Sequence, residues 1–437
     1  MAQQPAGNQG CRHLPHEGRT RDSWGATTVR LSRRAHAPRS PAGSPLGLRA
    51  SREPHDFHWP STRPKKPDRR ILSMSRLKRG LRGQLMPELV SSQQLDEAVL
   101  GVRFTHSSRL AALTASGSLW LASGPGNSLG RLGGHERGGL VLAAEPNGSL
   151  LASGGQDGLL RIWDTANGQS ITTAPTGMPW VERAAWQPGG RLIAATAGRR
   201  VGVWDIDGNR LGLSHEHAST VADLAWKPDG TQIATASYGG VTSLTSDGNG
   251  SHGHVPFKGS SLVLAWQPQG NFLAVGNQDA TVVFVIVATG ETLQMWGFPA
   301  KVLAMDWSAD GRWLATAAGP GVILWDASGR GPRGRVPTVL AGHFGIATTL
   351  AWQPKGPILA SGGKDCLVCL HVPSRHLRAA QPDSDEPPTI EAEDSVSTEY
   401  EVTALAWTPG GNLLAIGDRG GNVSIYRVGP VGRGREA

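Results

Sequence analysis

One six-residue signature recurs along most of this chain, and no arrangement of a few unrelated domains would produce it. The unit reads Ala–Trp–x–Pro–x–Gly followed by an Ala-rich apolar stretch, with a period of about 40 residues. Clear copies begin at Ala185, Ala225, Ala265, Asp306, Ala351 and Ala406. Two weaker copies precede them, with Phe104 and Ala144 at the Trp position, so the series runs Phe104, Ala144, Trp186, Trp226, Trp266, Trp307, Trp352 and Trp407. Each copy contains three short apolar stretches separated by turn residues. Leu140 to Ala144, Leu150 to Ser153 and Leu159 to Trp163 are examples, with AsnGly and AspGly between them. Stretches of this length between such turns are predicted strands. A fourth, more polar stretch such as Gln169 to Thr173 has the composition of an outer edge strand.

A four-stranded unit with two apolar faces cannot bury both by itself, so neighbours must stack, and radial stacking closes the array. The pattern therefore predicts an all-β, closed propeller, with eight four-stranded blades favoured and seven the alternative count. The last unit ends near Val428 without an outer strand, while Glu88 to Gln94 precedes the first unit as an unused one. Pairing the two would close the ring.

The second unit narrows the resemblance. Gly133–His135, Leu151–Gly158 with the sequence LeuAlaSerGlyGlyGlnAspGly, and Arg161–Asp164 with ArgIleTrpAsp resemble a WD40 repeat, and the likeness extends over residues 88 to 428. The compact, Trp-rich character resembles the bacterial type of that family. The resemblance implies a hydrogen-bonded tetrad of His135, Ser153, Asp157 and Trp163 linking the strands of the unit. A partial set, His343, Ser361 and Asp365, recurs in the seventh unit with His371 where the Trp should stand. It also implies a non-catalytic, monomeric protein-interaction scaffold without cofactors. A zinc-handling P-loop GTPase is a partner suggested by the bacterial type.

Charge divides the chain. Residues 1 to 85 carry 18 Lys and Arg against five Asp and Glu, whereas the remainder has 25 basic and 30 acidic side chains. The repeat array thus has no positive excess with which to attract phosphate, and nucleic-acid binding would rest on the basic segment alone. That segment shows neither helical nor strand periodicity and reads as disordered. A start assigned too early leads its readings, ahead of an organelle transit peptide, a solvated tail and a nucleic-acid arm. The expected domains are a basic extension over 1–85 and the propeller over 86–437. Three cysteines, no secretory h-region and no long apolar run argue for a cytoplasmic protein without membrane insertion. A stroma or matrix location follows only if 1–85 is a transit segment.

Candidate chemistry is sparse. Gly126–Gly130 matches the GxSxG pattern around Ser128, yet no helix follows to form a nucleophile elbow. Gly329, Gly331 and Gly334 spell GxGxxG, but Pro332 and Pro337 exclude a phosphate-holding helix. Cys366 and Cys369 fall on opposite faces of a predicted strand, so they cannot share a metal. His215 with His217 and His252 with His254 form two HxH pairs, His217 in the structural His register of the resemblance. No metal site is expected. The segment 372–402 is an insertion with eight acids against two Arg, including Asp383, Asp385, Glu386, Glu391, Glu393 and Asp394. It reads as a solvated flexible loop or as an acidic docking segment for a basic partner. Trp180, Trp296, Phe298 and Phe344, in connections between units, are the other partner-binding candidates. A propeller-fold hydrolase is the rival reading, with no clustered acid/base pair to support it.

Overall fold

The recurring signature ends an inner strand and begins a tight turn. In the computed structural model, which describes residues 85–124, 126–329, 331–376 and 387–429, inner strands end at the signature aromatic in every clear copy. They are Arg183–Trp186, Asp223–Trp226, the end of Ser251–Trp266, Ala304–Trp307, Ala347–Trp352 and Val402–Trp407. Val99–Phe104 and Gly139–Ala144 are the inner strands of the two weaker copies. The turn that follows is closed by a hydrogen bond from the Gly N–H to the residue just after the Trp, as in Gly230 to Lys227 O at 2.8 Å and Gly270 to Gln267 O at 2.8 Å. Gly230, Gly270, Gly311 and Gly411 hold φ between +68° and +74° there. An L side chain is disfavoured in that region, which accounts for the last Gly of the signature in these four copies.

The Ala-rich stretch is the second strand. Ala152, Ala195, Ala274, Ala315, Ala360 and Ala415 are fully buried on these strands. Strands near the axis have neighbours on both faces at close quarters, so small side chains occupy them. The polar fourth strands lie outermost, Gln169–Pro175 for example being mostly exposed.

Spatial order follows chain order within the units. Unit two holds Gly139–Ala144, Leu150–Gly155, Leu159–Asp164 and Gln169–Pro175 as one antiparallel sheet. The inner strands of successive units pack on one another around the ring, and Val402–Trp407 packs back on Val99–Phe104. Closure is completed by Glu88–Gln94, which pairs antiparallel with Asn422–Arg427 and supplies the outer strand of unit eight. Arg427 Nη1 lies 2.7 Å from Glu88 Oε2 across this seam. The basic extension up to residue 84 lies outside the described residues.

The favoured count of eight separate blades is corrected by the strand pairing, which forms seven sheets among the described residues. Units four and five share one six-stranded sheet. The reason lies in Ser251–Trp266, where Ser260 pairs with Tyr238 of unit four and the next residue, Ser261, pairs with Asn277 of unit five. Ser251–Trp266 runs through the connection between these units as one continuous strand, so no turn separates their sheets.

A second correction concerns the acidic insertion. Thr389–Glu391 pairs in parallel with Thr338–Ala341 as a fifth strand on unit six, and Asp394–Ser397 is the outer strand of unit seven. Glu391, Glu393 and Asp394 therefore belong to the folded ring rather than to a free loop, and Glu393 receives His376 Nε2 at 2.5 Å and Arg375 at 3.6 Å. Asp383, Asp385 and Glu386 lie outside the described residues.

Neighbouring units are stitched by the signature itself. The indole N–H of Trp186 donates to Ala143 O at 3.2 Å, Trp226 to Ala185 O at 3.0 Å, Trp266 to Ala225 O at 3.2 Å, Trp307 to Ala265 O at 3.1 Å and Trp407 to Ala351 O at 3.0 Å. Each acceptor is the residue just before the previous signature position. Trp352 breaks the series, for its buried Nε1 has no acceptor. This contrast is testable. Trp226→Phe removes a donor and strands a carbonyl, whereas Trp352→Phe removes a donor already without a partner, so denaturant unfolding should show Trp226→Phe losing about 1 kcal/mol more. Equal losses would contradict the stitch.

Candidate functional site

Unit two assembles its four polar residues from two strands, the turn between them and a connection. His135 precedes the inner strand, Ser153 lies on the second strand, Asp157 in the turn after it and Trp163 on the third strand. His135 Nδ1 meets Asp157 Oδ1 at 2.8 Å, His135 Nε2 meets Ser153 Oγ at 2.9 Å, and Trp163 Nε1 donates to Ser153 Oγ at 2.9 Å. Arg161 Nη1 adds a bond of 2.9 Å to Asp157 Oδ2. Burial depresses the basicity of His135, opposed by Asp157 and aided by Arg161. The group is an interior brace that satisfies its own donors and acceptors.

Unit seven solves the same problem differently. His343 Nδ1 lies 3.1 Å from Asp365 and its Nε2 2.9 Å from Ser361 Oγ. His371 does not join them; its Nε2 donates to Ala341 O at 2.8 Å, and its buried Nδ1 has no partner. Cys369 pairs opposite Ser361, where unit two has Arg161 opposite Ser153. With no guanidinium beside Asp365, His343 becomes the counter-ion. Burial works against its charge, but Asp365 and Cys369 outweigh it and lift the pKa to about 10. Burial lowers that of His371 to about 4, against its bond to Ala341. Cys369 is 1% exposed, which closes it to solutes. Cys366 sits in the turn before the strand at φ +60°, not on the strand as expected. Among the described residues no group of three or more His, Cys, Asp and Glu is placed to hold a metal.

Two carboxylates occupy inner strands. Asp306 stands where most copies have Ala, and it accepts the backbone N–H of Trp352 at 2.7 Å and of Trp307 at 2.9 Å. Asp223 accepts the backbone N–H of Leu264 at 2.8 Å and lies 3.8 Å from Arg183 Nε. Both thus tie one inner strand to the next. Burial pushes the pKa of Asp306 up to about 7 and that of Asp223 up to about 6, with the N–H donors pulling the other way.

The strand order defines two rims. One carries the turns between second and third strands together with the connections that lead into each inner strand. All five aromatic side chains that are more than a third exposed among the described residues lie on it: Trp180 at 39%, Tyr238 at 64%, Trp296 at 39%, Phe344 at 45% and Tyr400 at 45%. The opposite rim exposes aliphatic Val287 and Val336 instead. Trp180, Trp296 and Phe344 are thus accessible, but Phe298 is 8% exposed and packs its ring 5.8 Å from Trp325, so it is corrected to a core residue. Tyr238 and Tyr400 escaped the sequence reading because single aromatics beside turn glycines carry no periodic signal.

Segments 126–164, 208–244, 334–371 and 394–427 match the model of the WD domain, G-beta repeat, and 258–310 matches the anaphase-promoting complex subunit 4 WD40 domain. Among curated proteins, the chain is 33% identical to eukaryotic translation initiation factor 3 subunit I of Candida albicans, over 23% of this chain and 30% of that protein. It is 31% identical to small ribosomal subunit protein RACK1 of Caenorhabditis elegans over 15% and 20% of the two chains, and 24% identical to protein HIRA of Zea mays over 29% and 14%. The matched stretches span less than a third of these relatives. All three come from eukaryotes, so the bacterial type is not supported. The crystal structure of the computationally designed Ika8 protein superimposes with a TM-score of 0.64 at 20% identity, covering 78% of this chain and 100% of that one.

Two outcomes follow from these sites. His135→Ala should cost about 1–3 kcal/mol in denaturant unfolding, because it removes the buried imidazole that bridges Ser153 Oγ and Asp157 Oδ1. The inner-strand carboxylates have folded pKa values above the unfolded value of 3.8, so the native state holds more protons between about pH 4 and 7, and stability falls as pH rises through that window. Asp306→Asn should flatten this slope in melts taken from pH 4 to 8. An unchanged slope would show that Asp306 titrates normally.

Proposed function

We propose that this chain, a WD40-repeat protein, is a non-catalytic scaffold that binds other proteins through the rim bearing its five exposed aromatics. One observation carries the reading: the exposed rings of Trp180, Tyr238, Trp296, Phe344 and Tyr400 are all on one rim, whereas the other has none among the described residues. Aromatic side chains supply large contact areas at low entropic cost and dominate binding energy where they meet a partner. They come from different units, so a partner spanning several connections would engage them together, and the ring's closed hydrogen bonding holds them in fixed relative positions.

No described helix is long and apolar enough to cross a membrane. The polar clusters are braces whose groups bond one another, which supports a binding role over the hydrolase alternative. Acidic docking through the insertion loses weight at Glu393, already engaged by Arg375 and His376. Replacing Trp180, Trp296, Phe344 and Tyr400 together with Ser should remove most proteins captured by the full chain in a pull-down from its native host while leaving the melting temperature within a few degrees. A zinc-handling P-loop GTPase, if it is a partner, would be among the proteins lost. A control with Val336→Ser, on the opposite rim, should keep the full set. Retention of every partner by the aromatic variant would move binding away from this rim.

A further inference from the structure

A cavity of 540 Å³ opens beside unit four, lined by Ser214, His217, Tyr238, Gly239, Leu244 and His254 among others. Its origin is a tetrad that has lost half of its members. Trp226 pairs with Ile233 as Ala144 pairs with Leu151, which aligns the second strands of units four and two. Thr235 then takes the place of Ser153, and its hydroxyl lies 2.9 Å from His217 Nε2, as Ser153 Oγ does from His135 Nε2. The carboxylate position, four residues on, falls on Gly239 at φ +90°. Thr235 Oγ1 bonds Thr242 O at 3.1 Å, which sets Leu244 opposite Ile233, where unit two sets Trp163 opposite Leu151. Leucine and glycine thus stand where unit two has an indole and a carboxylate.

In unit two the indole fills this space, packing so closely on Gly133 that a Cβ there would come within 2.6 Å of the ring. In unit four Leu244 stands in the place of the indole, and the space stays open. Two of its three imidazoles are already engaged. His217 Nδ1 bonds Arg199 O at 3.1 Å, and His254 bonds Thr242 Oγ1 at 3.1 Å and Gly239 O at 3.2 Å. Glu216 pairs with Arg199 at 2.5 Å and Arg200 at 3.5 Å. His217 and His254 thus have no ring nitrogen left for a metal, His215 alone is too few ligands to hold one, and no unpaired carboxylate is left for an ion. What remains on offer is ring faces and the Leu244 side chain, with Tyr238 at 64% exposure on the rim that carries the other exposed aromatics.

We propose that this cavity receives a tryptophan side chain from a partner segment, which occupies the seat the missing tetrad indole leaves open. The inference rests on the reading of the aromatic rim as the partner surface and adds to it the residue type recognised. A planar indole stacks on imidazole and phenol rings and buries apolar area without requiring a free charge, whereas an acidic or basic side chain would be desolvated there unpaired.

The full chain can be titrated with N-acetyl-tryptophanamide while the ring Cε1–H resonances of His217 and His254 are followed by NMR, with N-acetyl-alaninamide as control. Saturable shifts with the tryptophan amide alone are expected. Leu244→Trp, which seats the chain's own indole, and Ser251→Trp, an exposed residue lining the cavity, should each abolish them. The second variant keeps the test decisive if the first fails to fold. Absence of saturation, or persistence of the shifts in folded Ser251→Trp, overturns the pocket. Should the pocket variants keep every partner that the Trp180, Trp296, Phe344 and Tyr400 variant loses, the pocket falls and the scaffold reading stands. The reverse pattern, saturation by the amide with all partners kept by the rim variant, leaves the pocket and removes the rim.

Discussion

The structure depends on one hydrogen bond repeated around the ring, from the indole N–H of five of the six signature Trp residues to the carbonyl just before the preceding signature position. A Trp at the end of an inner strand must bury a large apolar ring and still find an acceptor for its single donor. The neighbouring inner strand presents both, an Ala-rich face and a carbonyl that faces out of its own sheet. The bond therefore couples side-chain burial to the spacing between units, and it explains why Ala so often precedes Trp: a larger residue there would hold neighbouring strands apart. Radial stacking then leaves only the outermost strands exposed at their edges, and these are the polar ones.

Departures from the repeat show what each contact contributes. Where Asp306 replaces Ala, its carboxylate takes over the link to the next unit by accepting the Trp352 backbone N–H, while the Trp352 indole goes without an acceptor. A neutral stitch has been exchanged for a titratable one. Where Cys369 stands in the place of Arg161, which flanks the second unit's tetrad, His343 carries the positive charge itself. Where Gly239 and Leu244 replace Asp and Trp, the brace is lost and a cavity remains. Similar backbones thus support a charged brace, a protonated histidine and an open pocket, with function free to vary because the stitch is held elsewhere.

Turns and connections bear the variation that a binding protein needs. Inner and second strands are confined by neighbours on both faces, so their sequences converge on Ala, Trp and small apolar residues. Connections meet solvent on one side, and there Trp180, Trp296, Phe344 and Tyr400 are held at the surface by a rigid support. Part of the acidic insertion, which by composition resembles a loop, is used to complete unit seven and to add a strand to unit six.

What the sequence determined by itself is the repeat and the strand-turn-strand pattern, because each rests on local spacing, such as an AsnGly or AspGly turn between apolar stretches; the tetrad of unit two followed from the resemblance to a WD40 repeat. The seam between Glu88–Gln94 and the last unit was also legible, since one strand was surplus and one was missing. Only the tertiary structure decided the rest. Whether Ser251–Trp266 bends between units four and five depends on partners on both of its sides, Tyr238 and Asn277, which no local pattern reveals. Whether Glu391 and Asp394 sit in a free loop or in strands depended on edges left open by units six and seven. Exposure of Tyr238 and burial of Phe298 were settled by what packs above each ring. In every such instance the deciding contact joins residues far apart in the chain, and its energy exists only once the ring has closed.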